Sequence, residues 1–225
     1  MKKYFFVLVT FLTLEVKSQL NFTASSNVSL ISISQPENNV IEYKTFKNYY
    51  LPGFNAGIHF DKLITGKFSM NLGVQYSLLR SKNYIEIDFS LSNGVKNIGY
   101  VSTVRKLQYI QMPIMISWNV KEKLKIQLGG QLMYLLSEQE IEKGGSIIEG
   151  KKTVDFSNNY TNRFDLKKVD FGTLSNISYT LLPKISIQVT YYYGLTNIFN
   201  DNSIPDWKWQ NSQFCLGVKY YLSKK

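Results

Sequence analysis

Residues 67–78 read KFSMNLGVQYSL. Successive side chains of a strand point to opposite faces, so Phe68, Met70, Leu72, Val74, Tyr76 and Leu78 share one side and Lys67, Ser69, Asn71, Gly73, Gln75 and Ser77 the other. One face is greasy and one is wet. The same alternation recurs along the chain. Phe54, Ala56, Ile58 and Phe60 form one row, and Ile110, Met112, Ile114, Ile116 and Trp118 another. Leu124, Ile126, Leu128, Leu132 and Tyr134 follow, then Phe171, Thr173, Ile177, Tyr179 and Leu181. Ile185, Ile187, Val189, Tyr191, Tyr193 and Leu195 make a further row, and Phe214, Leu216, Val218, Tyr220 and Leu222 the last. A looser strand over residues 20–33 brings the expected number to eight. Pro113 has no N–H for the ladder, so a bulge or a missing bond is expected there, with its ring inward.

The connections alternate in length. Residues 61–66, 119–123 and 182–184 are short turns, whereas 35–50, 81–104, 137–166 and 198–210 are long. Outer-membrane barrels have short periplasmic turns and long extracellular loops. The expected fold is thus all-β: an eight-stranded antiparallel up-and-down transmembrane β-barrel, with both termini periplasmic. Phe60, Phe68, Trp118, Tyr179 and Tyr220 then ring the periplasmic rim. Phe54, Tyr76, Tyr134, Phe171, Tyr191, Tyr193 and Phe214 ring the outer one.

The N-terminus fits export. Lys2 and Lys3 precede an apolar run from Tyr4 to Leu14, too short to span as a helix, and Val16 and Ser18 suit a cleavage site. Residues 1–18 are expected to be a signal peptide and 19–225 the barrel domain. Mean hydropathy is −0.16, which excludes a helical membrane protein but not a barrel with a polar lumen. The single cysteine, Cys215, excludes a disulfide framework and reads as an inert strand residue. The net charge of +10 is scattered rather than arranged in a stripe with stacking aromatics, so nucleic acid is not an expected partner. Outer-membrane lipid is.

Period two alone does not say which face meets lipid; a secreted lipocalin-like barrel or a sandwich would turn its apolar face inward. Three features favour outward. His59, Lys67, Asn71, Gln75, Lys125, Gln127, Gln131, Gln188 and Lys219 form a polar set able to hydrogen-bond across a packed lumen. The strands are long enough to cross a bilayer. The last strand, with Gly217, Tyr220 and Leu222, resembles the signal read by barrel insertion machinery, although the chain ends Ser223-Lys224-Lys225 rather than on an aromatic.

The chain resembles the PorT-like outer-membrane β-barrel proteins of Gram-negative bacteria over nearly all of its mature length. The most distinctive residues are Tyr109 and Pro113 in LQYIQMPIMISW (107–118), Asp170–Gly172 in KKVDFGTLSNISY (167–179), and Gly194–Ile198 in YYYGLTNI (191–198). PGFNAGIHF (52–60), KLKIQLGGQLMYLL (123–136) and LGVKYYL (216–222) match as well. The resemblance implies an eight-stranded barrel in the outer membrane. Its namesake takes part in protein secretion across that membrane.

Catalytic constellations are sparse. His59, the only histidine, is expected low in the lumen beside Asp61, at the opposite end from an outer-leaflet lipid substrate. There is no Cys/His zinc cluster, Gly-rich phosphate loop or Gly-x-Ser-x-Gly elbow, and no cofactor is expected. Glu138, Glu140, Glu142 and Glu149 read as a solvated strand extension, with Gly144-Gly145 as the tip of its hairpin. An eight-stranded barrel has room only for its own side chains. The function expected is therefore a non-enzymatic membrane scaffold whose extracellular loops bind partners, with Trp207 and Trp209 as contact residues. The alternatives are a component of a secretion or envelope-assembly complex and a small channel.

Overall fold

The computed structural model describes residues 18–34, 43–90, 96–148, 151–162, 166–199 and 208–222. The expected signal peptide, apart from Ser18, lies outside the described residues, as does Trp207. The strands are β1 (Ser18–Ser34), β2 (Tyr43–Thr65), β3 (Phe68–Ser90), β4 (Lys96–Lys121), β5 (Leu124–Ile148), β6 (Lys151–Lys152), β7 (Phe156–Thr161), β8 (Val169–Leu182), β9 (Ile185–Gly194) and β10 (Lys208–Tyr221). Eight of them form one antiparallel ring, β1-β2-β3-β4-β5-β8-β9-β10, closed by β10 pairing back onto β1. The other two, β6 and β7, fold back against the outer part of β5.

The apolar row faces out. Ile116 and Leu128 are each 62% exposed, while their in-facing neighbours Met115, Ser117 and Gln127 are buried. From Phe68 to Leu78 this row runs about 34 Å along the strand, or about 26 Å of height at a tilt near 40°. That matches the hydrocarbon band of an outer membrane. At its lower edge the strands turn in two residues each, Gly66-Lys67, Glu122-Lys123 and Pro183-Lys184. Lys67, expected on the lumenal row, is in the first of these turns and exposed. The hairpin is tighter than the residue pattern suggested, and it removes Lys67 from the ladder.

Two bulges mark the upper edge. Between Leu51↔Arg80 and Phe54↔Leu78, Pro52 and Gly53 together oppose the single residue Leu79. A Cβ on Gly53 would stand 2.0 Å from the Leu78 carbonyl oxygen, so only glycine fits. On the other flank, Gln108 pairs Ser137 and Tyr109 pairs Leu135, which leaves Leu136 as the extra residue. One inserted residue exchanges the faces of everything beyond it. Below the β5 bulge Met133 and Leu135 point in; above it Glu138 and Glu140 do, each only 1% exposed. These glutamates were expected in solvent, and the bulge is why they are not.

Pro113 faces the lumen and is buried. The β3–β4 register passes from Leu72↔Ile114 to Gln75↔Gln111 with no pairing between, so the ladder is interrupted opposite the proline while its register is kept.

Much of what reads as long loop is strand. β3, β4 and β5 have 23, 26 and 25 residues, and they continue past the bulges as a hairpin sheet joined by β7. Gly144-Gly145 is not a hairpin tip. The pair lies within β5, opposite Val101 and Tyr100.

Replacing Leu128 by Arg puts a charge at mid-bilayer on the outer face. We expect a loss of about 2–4 kcal/mol in folding stability, read by urea titration of the protein in lipid vesicles. An unchanged midpoint would mean that this face does not meet hydrocarbon.

Candidate functional site

Inside the ring the side chains stack in three layers. The lowest is built on one carboxylate. Asp61 accepts from Lys219 Nζ at 3.0 Å and from Lys125 Nζ at 3.5 Å, both on Oδ2. Asn71 Nδ2 donates to Oδ1 at 2.5 Å, and Asn21 Nδ2 reaches Oδ2 at 3.5 Å. His59 Nδ1 lies 3.1 Å from Asn71 Oδ1. A buried ammonium is costly unless paired, and here one anion serves two cations while tying together β1, β2, β3, β5 and β10.

The middle layer consists of amides. Gln75 donates to Gln111 at 2.5 Å, and Gln111 approaches Gln213 at 3.4 Å. Gln127 donates to Ser117 Oγ at 2.6 Å, and Asn176 to Thr190 Oγ1 at 2.6 Å. Met133 Sδ accepts from Gln111 and Gln131. A carboxamide both donates and accepts, so a set of them closes across the space without a net charge. The cavity left among them measures about 30 Å³, room for one or two waters. A wider vestibule of about 400 Å³ opens at the periplasmic mouth and includes Lys125 and Tyr221 in its wall.

The upper layer is a plug. Leu79, Leu107, Tyr109, Leu135, Ile198, Phe199 and Trp209 form a buried apolar cluster inside the outer mouth. Phe199 stacks on Trp209 with ring centroids 4.9 Å apart, and the Arg105 guanidinium lies 4.3 Å from the Trp209 ring centre. Arg105 Nε also pairs with Glu140 at 2.6 Å, and its Nη1 donates to Asn83 at 2.9 Å. The segment after β9 is folded in to supply this plug. Asn197 Oδ1 accepts from the Trp209 and Phe199 amides, and Ile198 N–H donates to the Trp209 carbonyl. Beneath it, Asn211 Nδ2 donates to Asp170 at 2.8 Å and reaches the Tyr109 hydroxyl at 3.3 Å. A Cβ on Gly172 would come within 2.6 Å of the Tyr192 ring. The three most distinctive stretches of the sequence, Tyr109–Pro113, Asp170–Gly172 and Gly194–Ile198, thus meet around one buried node.

Of the residues singled out from sequence, His59, Asn71, Lys125, Gln127, Gln131 and Lys219 are buried in the lumen. Gln75 and Gln188 border its cavity, and of the polar residues expected in the lumen Lys67 alone is elsewhere. His59 Nδ1 pairs with the side-chain oxygen of Asn71, a carboxamide that does not exchange protons with it at neutral pH. Trp209, expected on a partner-binding surface, is 2% exposed and anchors the plug. Gly217 is buried while Tyr220 and Leu222 face outward. Glu149 lies outside the described residues; among the described residues no group of three or more acidic, His or Cys side chains is placed to hold a metal. The plug itself was missed. Its sequence trace is the doublets Leu78-Leu79 and Leu135-Leu136, where both faces are apolar at once.

The profile of the outer membrane protein beta-barrel domain family matches residues 11–200. Comparison with the curated proteins finds no match. Among solved structures, Neisserial surface protein A is similar at 14% identity and a TM-score of 0.46, covering 91% of this chain and 98% of that one. Ail, the attachment invasion locus protein of Yersinia pestis, is similar at 13% identity and 0.39, covering 92% and 99%. The outer membrane protease OmpT from Escherichia coli is similar at 12% and 0.35, covering 91% and 96%.

Asp61→Asn leaves two buried ammonium groups without a counter-charge. It should cost about 3–5 kcal/mol. Lys125→Gln keeps the closer Lys219 pair and should cost about 1 kcal/mol or less. Urea midpoints of the two variants in detergent micelles give the ranking; equal losses would mean that Asp61 is not the hub.

Proposed function

The chain belongs to the outer membrane protein beta-barrel domain family, and from that premise we propose that it is a non-catalytic scaffold of the outer membrane whose extracellular sheet binds a partner from the cell envelope. The observation that carries this reading is the length of β3, β4 and β5. A crossing uses about 11 residues, and these strands have 23, 26 and 25. The surplus stands outside the bilayer as a sheet. Its β2 margin is an open edge: β2 pairs with β1 only as far as Leu51, so residues 43–50 have a ladder partner on the β3 side alone among the described residues. Tyr49 and Tyr50 are exposed along it. An unpaired edge with aromatic side chains suits the addition of a strand from another chain. Further out, Tyr84 and Tyr100 stack at 6.0 Å, with Lys152 Nζ 4.2 Å from the Tyr84 ring centre. The Tyr84 hydroxyl accepts a hydrogen bond from Lys152, which raises the pKa of the ammonium; partial burial raises that of Tyr84.

In this proposal residues 1–18 are a cleaved signal peptide, and Gly217, Tyr220 and Leu222 are read by the barrel insertion machinery of a Gram-negative cell. The PorT-like resemblance adds a second reading, membership of a secretion or envelope-assembly complex, which the same projecting edge would serve. The amide layer and the plug speak against a channel, since a filled lumen has no continuous aqueous path.

The test trims the sheet and leaves the barrel. Residues 85–101 and 142–158 are each replaced by a short turn, Tyr49 and Tyr50 on the β2 margin that remains are changed to Lys to blunt the open edge, and cross-linked partners are recovered from intact cells carrying either form. Partners captured by the full chain should be lost from the trimmed one. An identical set from both would sink the reading, as would discrete conductance steps from the full chain in a planar bilayer.

A further inference from the structure

On the outer face of the barrel, just above the bulges, cations gather without anions among the described residues. Arg80 and Lys106 are direct cross-strand partners in the β3–β4 ladder. Their in-facing neighbours Leu79, Ser81, Arg105 and Leu107 are buried, so both side chains point away from the lumen. Directly opposed residues have Cβ atoms about 5 Å apart, and like charges in that position repel. Lys82 is the next residue on the same face, placed over the Tyr49 ring at 5.7 Å. The out-facing residues around them are neutral: Leu51 and Tyr49 on β2, Val104 and Gln108 on β4, Gln139 on β5. The nearest acid on this face, Glu86, accepts a hydrogen bond from Tyr84 at 2.8 Å. Arg80 Nε is shielded from solvent and has no hydrogen-bond partner among the described residues. Among the described residues, the sheet therefore holds three cations together and supplies no counter-charge.

Their height says what does. Along β3 the out-facing row runs Tyr76, Leu78, Arg80, Lys82, and Tyr76 packs against Phe54 in the outer aromatic girdle at 5.7 Å. Such rings sit at the headgroup boundary. Four residues on, at about 3.3 Å each and a tilt near 40°, Arg80 is about 10 Å higher, at the level of headgroup phosphates. We infer that the Arg80–Lys106 cross-strand pair, with Lys82, is a docking site for the phosphorylated headgroup of an outer-leaflet lipid. A phosphate placed between the two would accept from the guanidinium and the ammonium at once, turning a repulsive pair into a clamp. The inference uses the membrane setting but not the protein partner proposed above, so either can fail alone.

The test is a titration of the full chain, purified in zwitterionic detergent, with bisphosphorylated lipid A, with its dephosphorylated form and with sodium phosphate, bound lipid being read by native mass spectrometry. Lipid A should bind. Arg80→Gln should weaken it about fivefold and Arg80→Gln with Lys106→Gln about thirtyfold, whereas Lys184→Gln at a periplasmic turn should leave it unchanged. Dephosphorylated lipid should bind no better than lipid A does to the double variant, and Arg80→Lys should retain most of the binding. Should the double variant lack the heat-modifiable migration of a folded barrel, Arg80→Gln and Lys82→Gln singly decide. Undiminished binding in the variants, equal binding of the dephosphorylated lipid, or displacement of lipid A by an equimolar amount of sodium phosphate would each overturn the inference.

Discussion

The seam between β1 and β10 is the contact on which the rest depends. It runs without a break from Asn21↔Tyr221 to Ser34↔Lys208. In hydrocarbon there is no water to satisfy a free N–H or C=O, so an open sheet edge at that depth is excluded and the ring has to shut. Closure then dictates the two environments. Everything outward on the crossing meets lipid, and everything inward must be packed and hydrogen-bonded by its own neighbours.

The interior answers that demand differently at each level. Near the periplasm a single carboxylate gathers two lysines and two asparagines. Amides take over at mid-height, where a neutral group that gives and receives is the cheapest way to bridge the bore. At the outer mouth polar matching yields to hydrophobic packing, with Trp209 clasped between Phe199 and Arg105. The change of level coincides with the bulges at Pro52-Gly53 and Leu136. Those two extra residues let the chain leave a tight cylinder and continue as a free-standing sheet.

Strand positions, short turns and the lipid-facing row were legible because lipid on one side and a polar bore on the other impose strict alternation. Legibility ended where that condition did. Past Leu136 the alternation continues in the opposite phase, so Glu138 and Glu140 look solvated in sequence and are interior in space. A bulge leaves little trace beyond a glycine such as Gly53. Trp209 looks like a surface tryptophan because Arg105 is brought to it by ring closure and Phe199 by the inward fold of the segment after β9, neither of which strand alternation shows. Lys67 keeps the right parity but falls in a two-residue turn. The lumenal set that was recovered, from His59 to Lys219, owes its legibility to the absence of any other place for polar side chains on a membrane strand.

Cys215 is the one sulfhydryl of the molecule, and it sits on the seam. It faces inward opposite Asn27 and accepts a hydrogen bond from Asn55 at 3.3 Å. A bulky alkylating reagent has no route to it while β1 and β10 are zipped together. Its rate of modification therefore serves as a built-in clock for strand separation, read from the native chain without any added label.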